Sequence, residues 1–351
     1  MKFRIVALSI ALLFPLPLFA RAKTDVIVMN NGDRMTCEIK GLDQGSLSVS
    51  FDYIKGTASV DWSKVHHLES NQLFIVKAED GSVYVGLIKA VNSAAGRPIQ
   101  IIPASAPEEM VEVKQSNVID LTQTSANFWQ RFNGSLNSGI NYAKGNNSTQ
   151  YNFSADVDYP RERWAAGASY NSSLSANQGS PTSTRNSLAL NTRRLLRKNN
   201  WYYSGLASFL QSSTQDIQLQ SNIGAGIGRF IKNTNHSTIS VTGGLSWQKT
   251  KYTQTTTSQA AESVVAGMAV ADLSLFRFNK TNLTITASAF PAFSQPGRVY
   301  ANTDISYYLK FWGNFTWTTS FYGNWDNQPP PHFVGSNYGA SSGVGWTFGN
   351  K

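Results

Sequence analysis

The stretch Ile239-Ser240-Val241-Thr242-Gly243-Gly244-Leu245-Ser246-Trp247 decides how this chain is read. Its odd positions are mostly apolar, and its even positions are Ser, Thr or Gly. Successive side chains of a β-strand point to opposite faces, so this alternation makes a strand with one oily face and one wet face. The pattern recurs about a dozen times between Phe128 and Phe348, each run closed by a turn. In a soluble sandwich the oily face is a core. In an outer-membrane barrel it meets lipid, and the wet face lines a lumen.

Outside this region the N-terminus favours the membrane. Lys2 and Arg4 make a basic start, residues 5–14 are apolar but too short to span a bilayer, and Ala20-Arg21-Ala22 offers an A-x-A cleavage site. Residues 1–22 therefore read as a secretory signal peptide. Composition agrees: 41% of residues are hydrophobic and 12% aromatic, but only 15% are charged, against about 25% in ordinary soluble domains. The net charge of +9 falls to +6 when Lys2, Arg4 and Arg21 leave with the signal. The remaining basic residues are dispersed, apart from Arg193-Arg194-Leu195-Leu196-Arg197-Lys198, so no nucleic-acid stripe is present. Cys37 is the single cysteine. It excludes a disulfide framework and reads as a small buried hydrophobe.

Residues 24–122 have a different texture: short strands with turns at Asn31-Gly32, Asp43-Gln44-Gly45 and Asp80-Gly81. They carry a weak internal repeat. Ile27-Val28 through NNGDRMTCEIKG matches Ile75-Val76 through EDGSVYVGLIKA. Val60-Asp61-Trp62, then Val65 and Leu68, matches Val111-Glu112-Val113, then Val118 and Leu121. Two five-strand units, about 24–70 and 73–122, predict a pair of small SH3-like or Sm-like β modules. Their apolar stripes are too short and interrupted for lipid, which places them in the periplasm. The all-β fold expected for the whole chain is this pair, followed over residues 125–351 by a 12-stranded antiparallel transmembrane β-barrel.

The segment NNGDRMTCEIKGLDQGSLSVSFDYIKGTASVDWSKVHHLES, followed by the alternating region, resembles the YdiY-like family of bacterial outer-membrane β-barrel proteins. That is a domain-of-unknown-function family of the salt-induced outer-membrane protein type. The resemblance implies an outer-membrane location and a barrel. It supplies no substrate and no catalytic residues.

Strand candidates in the second region are 127–143, 149–159, 163–175, 184–196, 201–212, 219–231, 237–249, 263–277, 282–294, 299–311, 314–326 and 336–348. Their number is even, as a single-chain bacterial barrel requires. Short connections, such as Tyr159-Pro160-Arg161-Glu162, alternate with longer ones, such as Thr250 to Glu262. Short periplasmic turns and long outer loops are the expected asymmetry. Aromatic residues gather near strand ends and predict two girdles. Trp164, Trp201, Phe230, Phe276, Trp312, Trp346 and Phe348 mark the periplasmic one, and Trp247, Phe290, Tyr300 and Trp325 the outer one.

Alternation sends Val241 and Ile305 to lipid and Thr242 to the lumen. Arg131, Asp156, Asp158, Asp304 and Lys310 are the charges expected to line the lumen. Gly224, Gly226 and Gly228 would leave space there, and the segment from Thr250 to Glu262 is the candidate plug. No catalytic, cofactor-binding or metal-ligating residues are expected. His66-His67 has only Asp61 and Glu69 as companions, and His332 sits in a proline loop near Ser336 and Asn337. No phosphate-binding, dinucleotide, nucleophile-elbow or zinc motif occurs.

The expected function is a narrow passive channel for small polar solutes or ions, with a periplasmic β domain. The alternative is a non-conducting anchor of the cell envelope, and a lipid hydrolase ranks third. The partners expected are outer-membrane lipid, the barrel assembly machinery, and an envelope protein or peptidoglycan touching the N-terminal domain. Neither a cofactor nor nucleic acid is expected.

Overall fold

The computed structural model describes residues 23–89, 98–104, 108–144, 148–176, 182–196, 200–213, 217–252, 261–311, 315–328 and 335–346. Residues 1–22, where a signal peptide is expected, and most of the Thr250–Glu262 connection lie outside the described residues. Described regular structure is β-strand, with three short 3-10 turns.

The first sheet has nine strands: β1 (Asp25–Met29), β2 (Arg34–Asp43), β3 (Ser46–Ser50), β4 (Ala58–Asp61), β5 (Val65–Ala78), β6 (Val83–Lys89), β7 (Pro98–Pro103), β8 (Val111–Lys114) and β9 (Val118–Gln123). The two units read from the sequence share one order of elements. In each unit four strands precede a 3-10 turn, Trp62–Lys64 in one and Gln115–Asn117 in the other, and a last strand follows. The second half registers two residues beyond the sequence match. Ser46 faces Asp61 and Pro98 faces Lys114, so Val60-Asp61-Trp62 corresponds to Val113-Lys114-Gln115.

The units are not separate modules. β5 closes the first by pairing with β1 and opens the second by pairing with β6 and β9. β2 and β9 pair directly at Gly41–Thr122 and Leu42–Leu121. Trp62 and Gln115, equivalent in the repeat, bond each other reciprocally across the joint. Trp62 Nε1 donates to the Gln115 carbonyl at 3.0 Å, and Gln115 Nε2 donates to the Trp62 carbonyl. One core holds both halves, with Ile27, Ile39, Leu47 and Trp62 from the first and Phe74, Ile88, Ile101 and Leu121 from the second. Each such buried side chain contributes about 1.5–3 kcal/mol.

The second sheet has twelve antiparallel strands, each paired with the next. They are β10 (Asn133–Ala143), β11 (Ser148–Pro160), β12 (Trp164–Ala176), β13 (Ser183–Leu195), β14 (Trp201–Ser212), β15 (Ile217–Asn233), β16 (Ser237–Tyr252), β17 (Ala261–Arg277), β18 (Thr281–Pro291), β19 (Val299–Phe311), β20 (Phe315–Asp326) and β21 (Ser336–Trp346). The count and order match the sequence expectation. The main departure is at the start, where residues 127–132 are not strand. Phe128, Trp129 and Phe132 are apolar at a spacing without period two, and Trp129–Arg131 forms a 3-10 turn. The rings of Phe128 and Phe132 gather on Tyr159, with Phe132 and Tyr159 4.8 Å apart, and Trp129 packs on both phenylalanines.

Register sorts the side chains onto two faces. Directly opposed residues share a face. Leu136–Ala155–Tyr170–Leu188–Phe209 is one row, and Leu283–Tyr307–Thr319 belongs to the same side. This side is apolar and the other polar. Among the described residues no pairing joins β21 to β10. Both strands are eleven residues long, and the even count sets them antiparallel.

Candidate functional site

The polar face is built by the second member of each alternating pair. Asp156 lies on it opposite Ser135 and Ser169, and Asp158 opposite Asn133 and Gly167. Asp304 is opposite Thr286 and Tyr322, and Lys310 is opposite Thr316. Four of the five expected lumen charges therefore share this face. Arg131 does not. It sits in the 3-10 turn before β10, where Nε donates to the Ser125 carbonyl (2.6 Å), Nη2 to the Ala126 carbonyl (2.8 Å) and Nη1 to the Tyr159 hydroxyl (3.2 Å). Tyr159 belongs to the apolar face, so Arg131 ties the linker down at the strand end.

Trp164, Trp201, Trp247, Trp325 and Trp346 all lie on the apolar face and are exposed. Trp164, Trp201 and Trp346 mark the end nearest the first sheet; Trp247 and Trp325 mark the far end. Phe315 stacks on Trp346 with ring centroids 5.4 Å apart. Trp312 and Phe348 lie outside the described residues. Four other expected girdle members do not belong to this face. Phe230 and Phe276 turn to the polar side at the near end, and Phe290 and Tyr300 at the far end. The last two pack on buried Val264, Ala266 and Ala292.

The glycine stripe of β15 is covered, contrary to expectation. A Cβ on Gly228 would fall within the Tyr202 ring, and one on Gly226 would lie 3.1 Å from both Met268 and Thr242. Tyr202, 1% exposed, reaches over the glycines from β14 to bond the Thr242 hydroxyl on β16 at 2.8 Å. The glycines therefore admit neighbours rather than leave a void. Asp272 holds the next span, accepting from Ser240 Oγ (3.1 Å) and Thr286 Oγ1 (3.0 Å).

A charged cluster stands at the far end of the same side. Arg298, 5% exposed, donates to Asp326 from Nε and Nη2 and to Glu262 Oε1 from Nη1 at 2.6 Å. Gln295 also accepts from Nη1, and the guanidinium lies 4.5 Å from the Tyr300 ring centroid. Polar space remains along β10–β13, where Asn137, Asn152, Ser154 and Asn171 line an open cavity of about 420 Å³.

The first sheet covers the near end. Asn235, in the β15–β16 turn, donates from Nδ2 to the Val118 and Ser116 carbonyls at 2.8 and 3.2 Å. Asn200, before β14, donates to the Glu79 carbonyl at 3.2 Å. Glycines permit both approaches. Gly45 has φ +68° and a Cβ there would be 2.8 Å from the Asn235 carbonyl; at Gly81, φ +87°, it would strike the Asn200 side chain. Between the two sheets is a cavity of about 310 Å³, with Asp43, Lys77 and Asp120 on one side and Arg193, Phe230 and Phe276 on the other. Arg193 lies over the rings of Tyr202 and Phe230, at 4.9 and 5.6 Å.

Burial raises the Asp43 carboxyl above its ordinary range, and the nearby Asp120 adds to this; the Gln44 amide and Lys77 oppose it. The Asp43 side chain is nonetheless exposed at the opening between the two sheets. Cys37 is buried as expected, and burial, with Asp25 and Glu38 beside it, pushes its thiol up to about 12. The His66 and His67 Nδ1 atoms are 3.0 Å apart and His67 Nε2 is 3.6 Å from Glu69. No cluster of three potential metal ligands occurs among the described residues.

Sequence reasoning missed Tyr202, Asn200, Asn235 and Arg298. The run Trp201-Tyr202-Tyr203 is aromatic on both faces and hides the one ring that turns inward. The asparagines stand in turns, where composition alone makes them unremarked.

No curated protein matches the chain. Among solved structures, the translocator domain of the autotransporter NalP from Neisseria meningitidis is 17% identical, over 61% of this chain and 86% of that one, with a TM-score of 0.32. At that score the likeness is too slight to bear on fold or activity. Residues 136–346, β11 to β20 complete with most of β10 and all of β21, match the family model described as Protein of unknown function, DUF481, and the chain belongs to that family.

Proposed function

We propose that this protein is an outer-membrane β-barrel with its N-terminal β domain in the periplasm, and that its polar face lines a narrow passage for small polar solutes or ions. The observation that carries the reading is the separation of faces over twelve paired strands. One face is apolar with tryptophans near both ends; the other carries Asp156, Asp158, Asp304, Lys310 and many Ser, Thr and Asn side chains. Unpaired strand edges cannot stand in hydrocarbon. The sheet therefore closes in the membrane by pairing β21 with β10.

The covering of Gly224–Gly228 and the Arg298 cluster favour a second reading, in which the barrel is sealed and serves to anchor the β domain. Fractionation and planar-bilayer recording separate the possibilities. The channel reading expects heat-modifiable migration, recovery with the outer membrane, and weak conductance. Recovery in the soluble periplasm defeats both readings; an electrically silent, membrane-inserted protein selects the anchor.

A further inference from the structure

The basic run Arg193-Arg194-Leu195-Leu196-Arg197-Lys198 has no place yet in the proposed passage beyond Arg193. Strand alternation splits its first two members. Arg193 turns to the polar face and Arg194 to the apolar one. Arg194 is not alone on its face. Arg229 on β15 and Arg277 on β17 share both the face and the end, and Lys249 and Lys251 on β16 stand on the same face at the far end. Among the described strand residues of this face there is no Asp or Glu. Every charge among these described residues is thus positive and sits near a strand end.

The near-end arginines are set among rings. Arg194 is opposite Trp164 on β12 and Tyr203 on β14. Arg229 is opposite Trp201, with its guanidinium 5.7 Å from the indole centroid. Both arginines and all three rings are exposed. Arg163, Trp164 and Arg194 line an open groove of about 700 Å³ at this end. The Glu162 carboxylate in the adjoining turn is 3.7 Å from Arg163 Nε, outside the strand rows.

In a bilayer this level is the headgroup region, where amphipathic rings settle. A guanidinium there binds phosphate through paired, charge-assisted hydrogen bonds. Two arginines on a face whose described strand residues include no Asp or Glu favour a headgroup of net negative charge over one that brings its own ammonium.

We propose that Arg194 and Arg229, framed by Trp164, Trp201 and Tyr203, form a binding site for the phosphate headgroup of an anionic phospholipid in the periplasmic leaflet. The site rests on the outer-membrane reading above. Its test is native mass spectrometry of the full chain, released from vesicles of equal phosphatidylglycerol and phosphatidylcholine. Flotation of the same vesicles serves as the separate measure of insertion.

Wild type is expected to float and to retain phosphatidylglycerol in about thirtyfold excess over phosphatidylcholine, in keeping with the effect of two basic groups at a charged surface. R194Q/R229Q should float equally and lose the excess, R194K/R229K should keep part of it, and K249Q/K251Q should keep all of it. Equal retention of the two lipids by wild type, or an undiminished excess in a floating R194Q/R229Q protein, overturns the site while leaving the barrel intact. Wild type that fails to float overturns the membrane reading and the site together.

Discussion

Ile305 and Ser306 are neighbours in β19 with opposite surroundings. Ile305 shares the apolar row with Ile285 and Phe321; Ser306 is exposed on the polar side between Thr284 and Ser320. Ile305→Arg is expected to cost about 2–4 kcal/mol near mid-membrane, and Ser306→Arg far less. Urea unfolding from lipid vesicles measures both, and equal losses mean that the faces are wrongly assigned. Val241 and Thr242 look like an equivalent pair in the sequence, but Thr242 is held by the Tyr202 hydroxyl. Arginine there would break a packed contact as well as add a charge. Gly228 gives the complementary case. Gly228→Ala drives a methyl into the Tyr202 ring and should cost about 1–3 kcal/mol, as overpacking does. Tyr202→Ala in the same chain should cancel much of that cost, because the clash then has no partner. Additive losses in the double variant would mean that Tyr202 does not cover the glycine.

At the scale of elements, alternation made the twelve strands of the second sheet legible, because a half-buried strand must separate its faces residue by residue. It failed where that constraint lapses. Residues 127–132 obey the packing of a 3-10 turn and an aromatic cluster, so Arg131 fell into a period that was not there. The repeat in residues 24–122 was legible from its turn glycines and paired valines. Its fusion through β5 was not, since nothing local distinguishes a long shared strand from two short ones. Because the core from Ile27 to Leu121 is contained within that sheet, residues 24–122 expressed alone should give a β-type circular-dichroism spectrum and a cooperative melt. A disordered spectrum would mean that the sheet needs the barrel turns to fold. The β10 edge makes a different demand. If β21 pairs with it in lipid, amides of Asn133–Ala143 should exchange as slowly as those of β16 in deuterated buffer. Fast exchange confined to β10 and β21 would leave the sheet open and remove the basis for a closed passage.

For the molecule as a whole, the proposed passage depends on the near end, where the first sheet covers the polar face through few bonds. Asn200 and Asn235 supply three side-chain hydrogen bonds to the Glu79, Ser116 and Val118 carbonyls. Each is worth about 0.5–1.5 kcal/mol net, so N200A/N235A should release the cover while the barrel stays folded. Conductance of that full-length variant in a planar bilayer should exceed wild type. The cover should also respond to pH. Asp43 holds its proton more tightly between the two sheets than in free water, because partial burial and Asp120 raise its pKa. Protonation and covering therefore favour each other. The cover is favoured below the ordinary carboxylate range and loosens as pH rises through the raised value, so wild-type conductance should climb over that window. Asp43→Asn, which carries no charge at any pH, should flatten the climb. If N200A/N235A conducts no better than wild type, the barrier lies deeper, at Tyr202 and the Arg298 cluster, and opening the near end has no consequence for flow. In that case R298Q, which frees Glu262 and Asp326 from their shared cation, is the variant that should conduct. Silence in both variants leaves a barrel filled along its length, whose work is then to hold the β domain at the membrane.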